Sequence, residues 1–234
     1  MEIVSSEEFN SVVAPILDQG LIKQIPSGEY VYGSVSQKFD YLKVISNNCP
    51  YGSGSYYNIE PIELQNAIVN ASLDMGDNFL YLSFASCNVE PNTPVNFKFP
   101  IQELLNEELY MLIARAKIMK GFRYEVLMYS PQGLWATLTG IDCYGTLGMT
   151  KEFIDRVRSF YPQLDEELDR QLLAFVRWYN NDPSSPDEWQ YIPGDTTAYA
   201  GWCKVFMGYL CRRDISENAN NDVDLIDIYR NLKV

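Results

Sequence analysis

The chain of 234 residues contains no histidine. That absence removes Ser-His-Asp and Cys-His nucleophilic catalysis, histidine-ligated zinc, facial-triad iron and the usual general base near neutral pH. Carboxylates with Mg²⁺, lysine and tyrosine are the remaining routes to chemistry. Cysteine is scarce and scattered: Cys49, Cys87, Cys143, Cys203 and Cys211 are odd in number, widely spaced and free of any Cys-x-x-Cys. Neither a disulfide framework nor a thiolate zinc site is expected from them, and buried free thiols are. No metal or other cofactor is expected. Long apolar runs are missing too, none approaching the roughly eighteen residues a bilayer span requires. The opening MEIVSSEEF has neither the basic start nor the apolar centre of a secretory signal. The expectation is a cytoplasmic protein with no membrane contact.

Basic residues are also in short supply. Eighteen Lys and Arg stand against 31 Asp and Glu, a formal net charge of -13. Such a field repels polyanions and favours encounter with basic surfaces. Direct binding to nucleic acid is disfavoured, because phosphate neutralisation by Lys and Arg supplies most of that affinity. A basic protein partner is favoured, although acidity that merely maintains solubility explains the same number. Hydrophobic residues make up 47% of the chain, an ordinary fraction that at this length supplies one large core or two small ones.

The strongest strand signal lies between Arg123 and Leu147. Val126, Met128 and the ring of Tyr124 fall on one face of an extended segment, and Trp135, Thr137 and Thr139 alternate with Leu134, Ala136 and Leu138 in the next. That is the period of a β-hairpin. Between the two runs Ser130-Pro131-Gln132-Gly133 supplies a turn, Pro presetting φ and Gly taking a positive one. The second run leads into Ile141-Asp142-Cys143-Tyr144-Gly145-Thr146-Leu147, with an acid at the carboxyl end of an apolar strand.

This IDCYGTL string resembles the first motif of the haloacid dehalogenase superfamily, in the branch where an aromatic residue replaces the motif's second acid. The resemblance covers seven residues. It implies Asp142 as the nucleophile of a Mg²⁺-dependent phosphohydrolase, in which an acid would normally stand at Tyr144. A Ser or Thr, a Lys and an acidic pair should follow on later strands; Lys204, Asp222 and Asp224 are what the chain offers. A parallel-sheet enzyme also needs crossover helices, and the sequence after Leu147 shows no such alternation. The competing account is a strand end followed by a Gly-rich turn into a helix.

Along the chain, Ser5 and Glu8 stand in capping-box spacing before a helix from about Ser6 to Gln19, with Pro15 kinking it or shifting its start. Segments 29–33 and 41–46 read as strands that pair with each other, and the Tyr-rich loop 47–58 as a connection or recognition surface. A second helix opens at Pro61 and closes at Gly76. Phe79 to Ala85 reads as a buried strand, and Val95 to Phe99 as an edge strand. A third helix begins at Pro100 and ends in the cations Arg115, Lys117 and Lys120, which suit a helix C-terminus and would also make a small anion site. Thr150 caps a helix carrying Phe153, Val157 and Phe160, broken at Pro162. The next helix is amphipathic through Leu164, Leu168, Leu172, Phe175, Val176 and Tyr179, with Asp165, Glu166, Glu167 and Asp169 in its first turns. A loop over 180–195 then holds Asp187, Glu188, Trp189 and Tyr191, and a helix follows to Cys211. Asp214 to Leu225 superficially resembles a calcium loop, but Ala219 and Leu225 occupy its Gly and bidentate Glu positions. A polar connector before a last helix, Val223 to Leu232, is the better account.

These elements predict an α+β fold, a mainly antiparallel sheet with helices packed on it and a predominantly helical C-terminal third. Residues 1–234 form one compact domain in this reading, with a helical subdomain over 149–234 as the alternative. Function divides three ways. The first is a non-enzymatic, acidic inhibitor of a basic nucleic-acid-binding protein, such as an immunity protein or a phage-type anti-defence protein. Its contacts would be Asp165, Glu166, Glu167, Asp169, Asp187, Glu188, Trp189 and Tyr191. The second is the Asp142 phosphohydrolase, and the third a viral structural or assembly component that forms a homo-oligomer.

Overall fold

The computed structural model describes residues 2–27, 30–36, 38–46, 59, 61–84, 96–105, 126–139 and 144–167. Chain contacts divide the protein into two compact units, Met1–Lys23 with Gly33–Pro162, and Gln24–Tyr32 with Gln163–Val234. Nine strands occur among the described residues: β1 (Glu2–Ile3), β2 (Ile22–Ser27), β3 (Tyr30–Val35), β4 (Tyr41–Ser46), β5 (Phe79–Phe84), β6 (Asn96–Pro100), β7 (Val126–Tyr129), β8 (Trp135–Thr139) and β9 (Tyr144–Met149). Seven of them form one sheet in the order β1-β6-β5-β7-β8-β9-β4, while β2 and β3 pair in a second. Every neighbouring pair in the large sheet is antiparallel.

Register divides the large sheet into two faces, because directly opposed residues point to the same side. One row runs Lys98, Tyr81, Tyr129, Ala136, Gly148, Leu42, and the adjacent row, facing the other way, runs Phe97, Leu82, Met128, Thr137, Leu147, Lys43. Residues of β7 and β8 are buried on both faces. Burial on both faces removes the need for the strict apolar-polar alternation of a half-solvated sheet.

The first face meets the helical stretch over residues 6–18. Ser5 caps it, its Oγ accepting from the Glu8 N–H at 3.1 Å, the Ser half of the expected capping box, while the Glu8 carboxylate is engaged by Tyr81 and Lys98. The stretch consists of α1 (Ser6–Glu8), a π-helical turn (Phe9–Val13) and α2 (Ala14–Asp18). Pro15 accounts for the irregularity. It has no N–H and its ring crowds the carbonyl four residues back, and widening the preceding turn, with Ala14 N–H bonded to Phe9 O, accommodates it. Val13 and Ile16 are the anchors buried from this stretch, with Leu21, Val35 and Phe39 beyond it. The Phe39 ring lies directly on Gly148 and occupies the place where any Cβ would stand.

The second face carries α3 (Ile62–Asp74) and α4 (Lys151–Phe160), which pack together. Trp135, fully buried on β8, joins both: its indole N–H donates to Ser72 Oγ on α3 at 2.8 Å, and its ring stacks on Phe153 of α4 with centroids 6.3 Å apart. Burying a side chain of this size contributes roughly 1.5–3 kcal/mol, and the bonded indole N–H avoids the desolvation cost that an orphaned donor would carry. Arg156 and Asp74 form an exposed ion pair between the two helices. Thr150 caps α4 as expected, accepting from Phe153 N–H at 3.4 Å.

The α+β class and the antiparallel sheet are as the sequence predicts, whereas the helical C-terminal third lies outside the described residues, as do the loop 47–58 and the cations Arg115, Lys117 and Lys120. Several details differ. Strands β3 and β4 do not pair with each other; β4 pairs with β9, where glycine at 148 leaves room for Phe39. Tyr144–Met149 is a strand rather than a turn into a helix. Segment 96–100 is not the sheet's outermost strand, since β1 lies outside it. The helix expected from Pro100 starts with a 3-10 turn, Ile101–Leu104, followed by an extended Leu105 with ψ 119°, and the rest of its expected course, from residue 106 on, lies outside the described residues. Gln65 Nε2 donates to the Leu104 carbonyl at 2.8 Å. Phe160 is 45% exposed, and Ile154 takes its expected place inside.

Candidate functional site

Asp142 lies outside the described residues, but its flanks are defined. β8 ends at Thr139, β9 begins at Tyr144, and Thr139 pairs antiparallel with Gly145. The haloacid dehalogenase resemblance implies a strand of a parallel sheet at this point. Instead the residues matching Tyr-Gly-Thr-Leu of the motif form an internal strand, with Thr146 Oγ1 accepting the backbone N–H of Val35 at 2.9 Å and Leu147 fully buried. Both side chains serve packing and backbone satisfaction.

Of the eight acidic and aromatic candidates, three are described. Asp165, Glu166 and Glu167 follow the buried Leu164 in a helical turn over 164–167, where Glu167 N–H donates to Gln163 O at 3.0 Å. Asp165 and Glu166 are exposed and Glu167 is half-buried. Successive helical residues are rotated by about 100°, so the three side chains leave the turn in different directions, and each takes part in an interaction within the molecule. Asp169, Asp187, Glu188, Trp189 and Tyr191 lie outside the described residues. Among the described residues no group of three or more Cys, Asp and Glu is placed to hold a metal ion, and no helix is long and apolar enough to cross a membrane.

Two polar clusters escape the sequence reading. On the first face of the sheet, Glu8 Oε1 accepts from Tyr81 Oη at 2.8 Å and from Lys98 Nζ at 2.9 Å. The Lys98 ammonium also lies 3.9 Å from the centroid of the Phe79 ring. Next to Tyr81 stands Tyr129, rings 5.6 Å apart, and its hydroxyl is 3.1 Å from Ser83 Oγ, which donates to Asn96 Oδ1 at 2.6 Å. The bonds from Lys98 and Tyr81 hold the Glu8 carboxyl below its ordinary range. Burial first, and the Glu8 carboxylate second, push the Tyr81 phenol upward; burial pushes Tyr129 up to about 12. A carboxylate held ionised is a weak base and a phenol held neutral is a weak nucleophile, so at neutral pH this cluster binds elements together rather than moving protons. Its signal in the sequence is faint: polar Ser83 and aromatic Tyr81 alternate with Leu80 and Leu82, but Glu8 is distant in the chain.

The second cluster joins two turns. The Asp77 carboxylate, 3% exposed, accepts from Ser130 Oγ at 2.6 Å and from Gln132 Nε2 at 2.8 Å. Gln132 Nε2 is also 3.2 Å from the Met75 carbonyl, and Gln132 N–H donates to Ser130 Oγ at 3.1 Å. The Asp77 carboxylate is shared between Ser130 and Gln132 of the same turn, and the set makes a clasp between the α3–β5 and β7–β8 turns.

Comparison with protein-family models, with curated proteins and with solved structures finds nothing that matches this chain.

Proposed function

We propose that this chain is a non-enzymatic inhibitor of a basic, nucleic-acid-binding protein, in the manner of an immunity protein or a phage-type anti-defence protein. The observation that carries the reading is the net charge of -13 in a chain without histidine. Asp165, Glu166 and Glu167 extend from one helical turn, and Asp169, Asp187 and Glu188 add charge nearby in sequence. Trp189 and Tyr191 supply the large, rigid side chains that concentrate energy at interfaces. An acidic surface of this kind competes for the cationic groups with which the partner grips phosphates. It also accelerates encounter, an effect that salt suppresses.

The test uses the purified chain as bait in its host or against its antagonist, washed at low and at high salt. The expected result is one basic protein whose capture weakens with salt and whose nucleic acid is displaced by the bait. Combined Asp165→Lys, Glu166→Lys, Asp169→Lys, Asp187→Lys and Glu188→Lys should lower affinity by at least about tenfold at low salt and flatten the salt dependence. Unchanged affinity in that variant overturns the surface assignment. Capture of no basic protein at either salt overturns the function.

A further inference from the structure

Residues 2–4 lie along the outer side of β6 and residues 6–8 open the helical stretch beside it, and little apolar burial holds either there. Glu2 stands opposite Lys98, Ile3 opposite Phe97, and the Val4 N–H donates to the Asn96 carbonyl at 3.1 Å. Glu2, Ile3, Ser5, Ser6 and Glu7 are exposed, Ile3 to 63%. A stretch that buries so little apolar surface opens locally at a small fraction of the free energy of global unfolding. Apart from the local helical bonds from Phe9 N–H and Ser11 Oγ, its attachment to the sheet at the far end runs through one side chain, since both bonds of Glu8, to Lys98 and to Tyr81, converge on a single carboxylate oxygen. Beyond Glu8 comes the π turn, and only at Val13 does a fully buried anchor occur.

We infer that residues 2–8 are a releasable strap, latched by the Glu8 carboxylate to Lys98 and Tyr81, whose opening uncovers the outer edge of β6 while the rest of the sheet stays folded. Latch and edge are coupled through one residue. Lys98 lies on β6, pairs with Glu2 across the strand boundary and holds Glu8 with its ammonium. Freeing Glu8 therefore loosens the contact that keeps β1 on that strand, and exposes backbone groups of the kind that pair with extended segments.

The groups around Glu8 set the direction of a pH response. Lys98 on β6 is its cation, Tyr81 on β5 its neutral donor, and Tyr129 on β7 stands behind Tyr81. Glu2 opposite Lys98 and Glu7 on α1 add like charge. Protonating Glu8 removes the charge from both of its bonds. The strap is accordingly closed above the ordinary carboxylate range and loosens as pH falls through the lowered pKa of the folded state.

Hydrogen exchange read by mass spectrometry on the full chain tests this, comparing the unaltered protein with Glu8→Gln, an isosteric copy of the protonated acid, and with Lys98→Gln. At neutral pH both variants should exchange about two- to fivefold faster over residues 2–8 and 96–100, the size expected for a partly exposed ion pair, with β7 and β8 unchanged. On acidification, after correction for intrinsic rates, the difference between the unaltered protein and Glu8→Gln should vanish. Unchanged exchange over residues 2–8 in both variants would overturn the latch. Equal acceleration across β7 and β8 would overturn the strap as a separately opening unit, and a difference that persists at low pH would overturn the role of the carboxylate.

Discussion

Three threonines on two adjacent strands show how differently one side chain can serve a buried sheet. Thr137 lies between Met128 and Leu147 in the row facing α3 and α4, and its hydroxyl has no hydrogen-bond partner among the described residues. Thr139 Oγ1 reaches the Val126 carbonyl at 3.4 Å, the long end of such bonds. Thr146 accepts the Val35 N–H at 2.9 Å. Replacing Thr137 by Val removes an unsatisfied polar atom and leaves no donor behind. Thr137→Val is therefore expected to leave stability unchanged or raise it by up to about 1–2 kcal/mol. Thr146→Val takes a buried acceptor from the Val35 N–H and should cost about 0.5–1.5 kcal/mol. Chemical denaturation of the two variants decides the matter. A loss of more than about 1 kcal/mol in Thr137→Val would mean that its hydroxyl is bonded.

At the scale of elements, the clasp between Asp77 and Ser130 joins turns that the chain brings together across 53 residues. Gly76, at φ 94°, turns the chain out of α3 so that Asp77 points inward at the β7–β8 turn, where Gly133 takes φ 70°. Removing either partner leaves the other one hydrogen bond short in a buried site, with Gln132 still bonded to it. Asp77→Ala and Ser130→Ala should each cost about 1–3 kcal/mol, and the double variant less than their sum by at least about 0.5 kcal/mol. Full additivity in urea denaturation would show that the two groups act independently. The hairpin itself was legible, because its alternation and its Ser-Pro-Gln-Gly turn are local signals. So were α3, from Pro61 to Gly76, and α4, from its Thr150 cap. The clasp was not, since nothing in the sequence marks Asp77 as the partner of Ser130. β9 was hidden for another reason: Gly145 and Gly148 imitate a turn, and the need for glycine at 148 arises from Phe39, more than a hundred residues away. The Glu8 latch failed to show for the same cause as the clasp. Of the acidic candidate surface, the sequence reveals the charge of Asp165, Glu166 and Glu167 but not where each carboxylate points.

For the whole molecule, the buried phenols set a limit on the alkaline side. An unfolded chain ionises its tyrosines near pH 10, whereas burial holds Tyr129 neutral up to about 12 and Tyr81 higher still. Between those limits the folded state binds more protons than the unfolded one, so stability falls as pH rises. Each such phenol contributes a slope of about 1.4 kcal/mol per pH unit once the unfolded group is fully ionised. The chain has 17 tyrosines and a net charge of -13, and growing self-repulsion among the acids steepens the same limb. Tyr129→Phe separates the two contributions, because it leaves the net charge at neutral pH untouched and retains the Ser83 bond to Asn96. Denaturant midpoints measured from pH 10 to 11.5 should show a shallower decline in Tyr129→Phe than in the unaltered protein, by up to about 1.4 kcal/mol per pH unit. Parallel declines would mean that Tyr129 ionises in the folded protein as readily as in the unfolded chain, and that repulsion among surface charges alone unfolds the sheet in alkali.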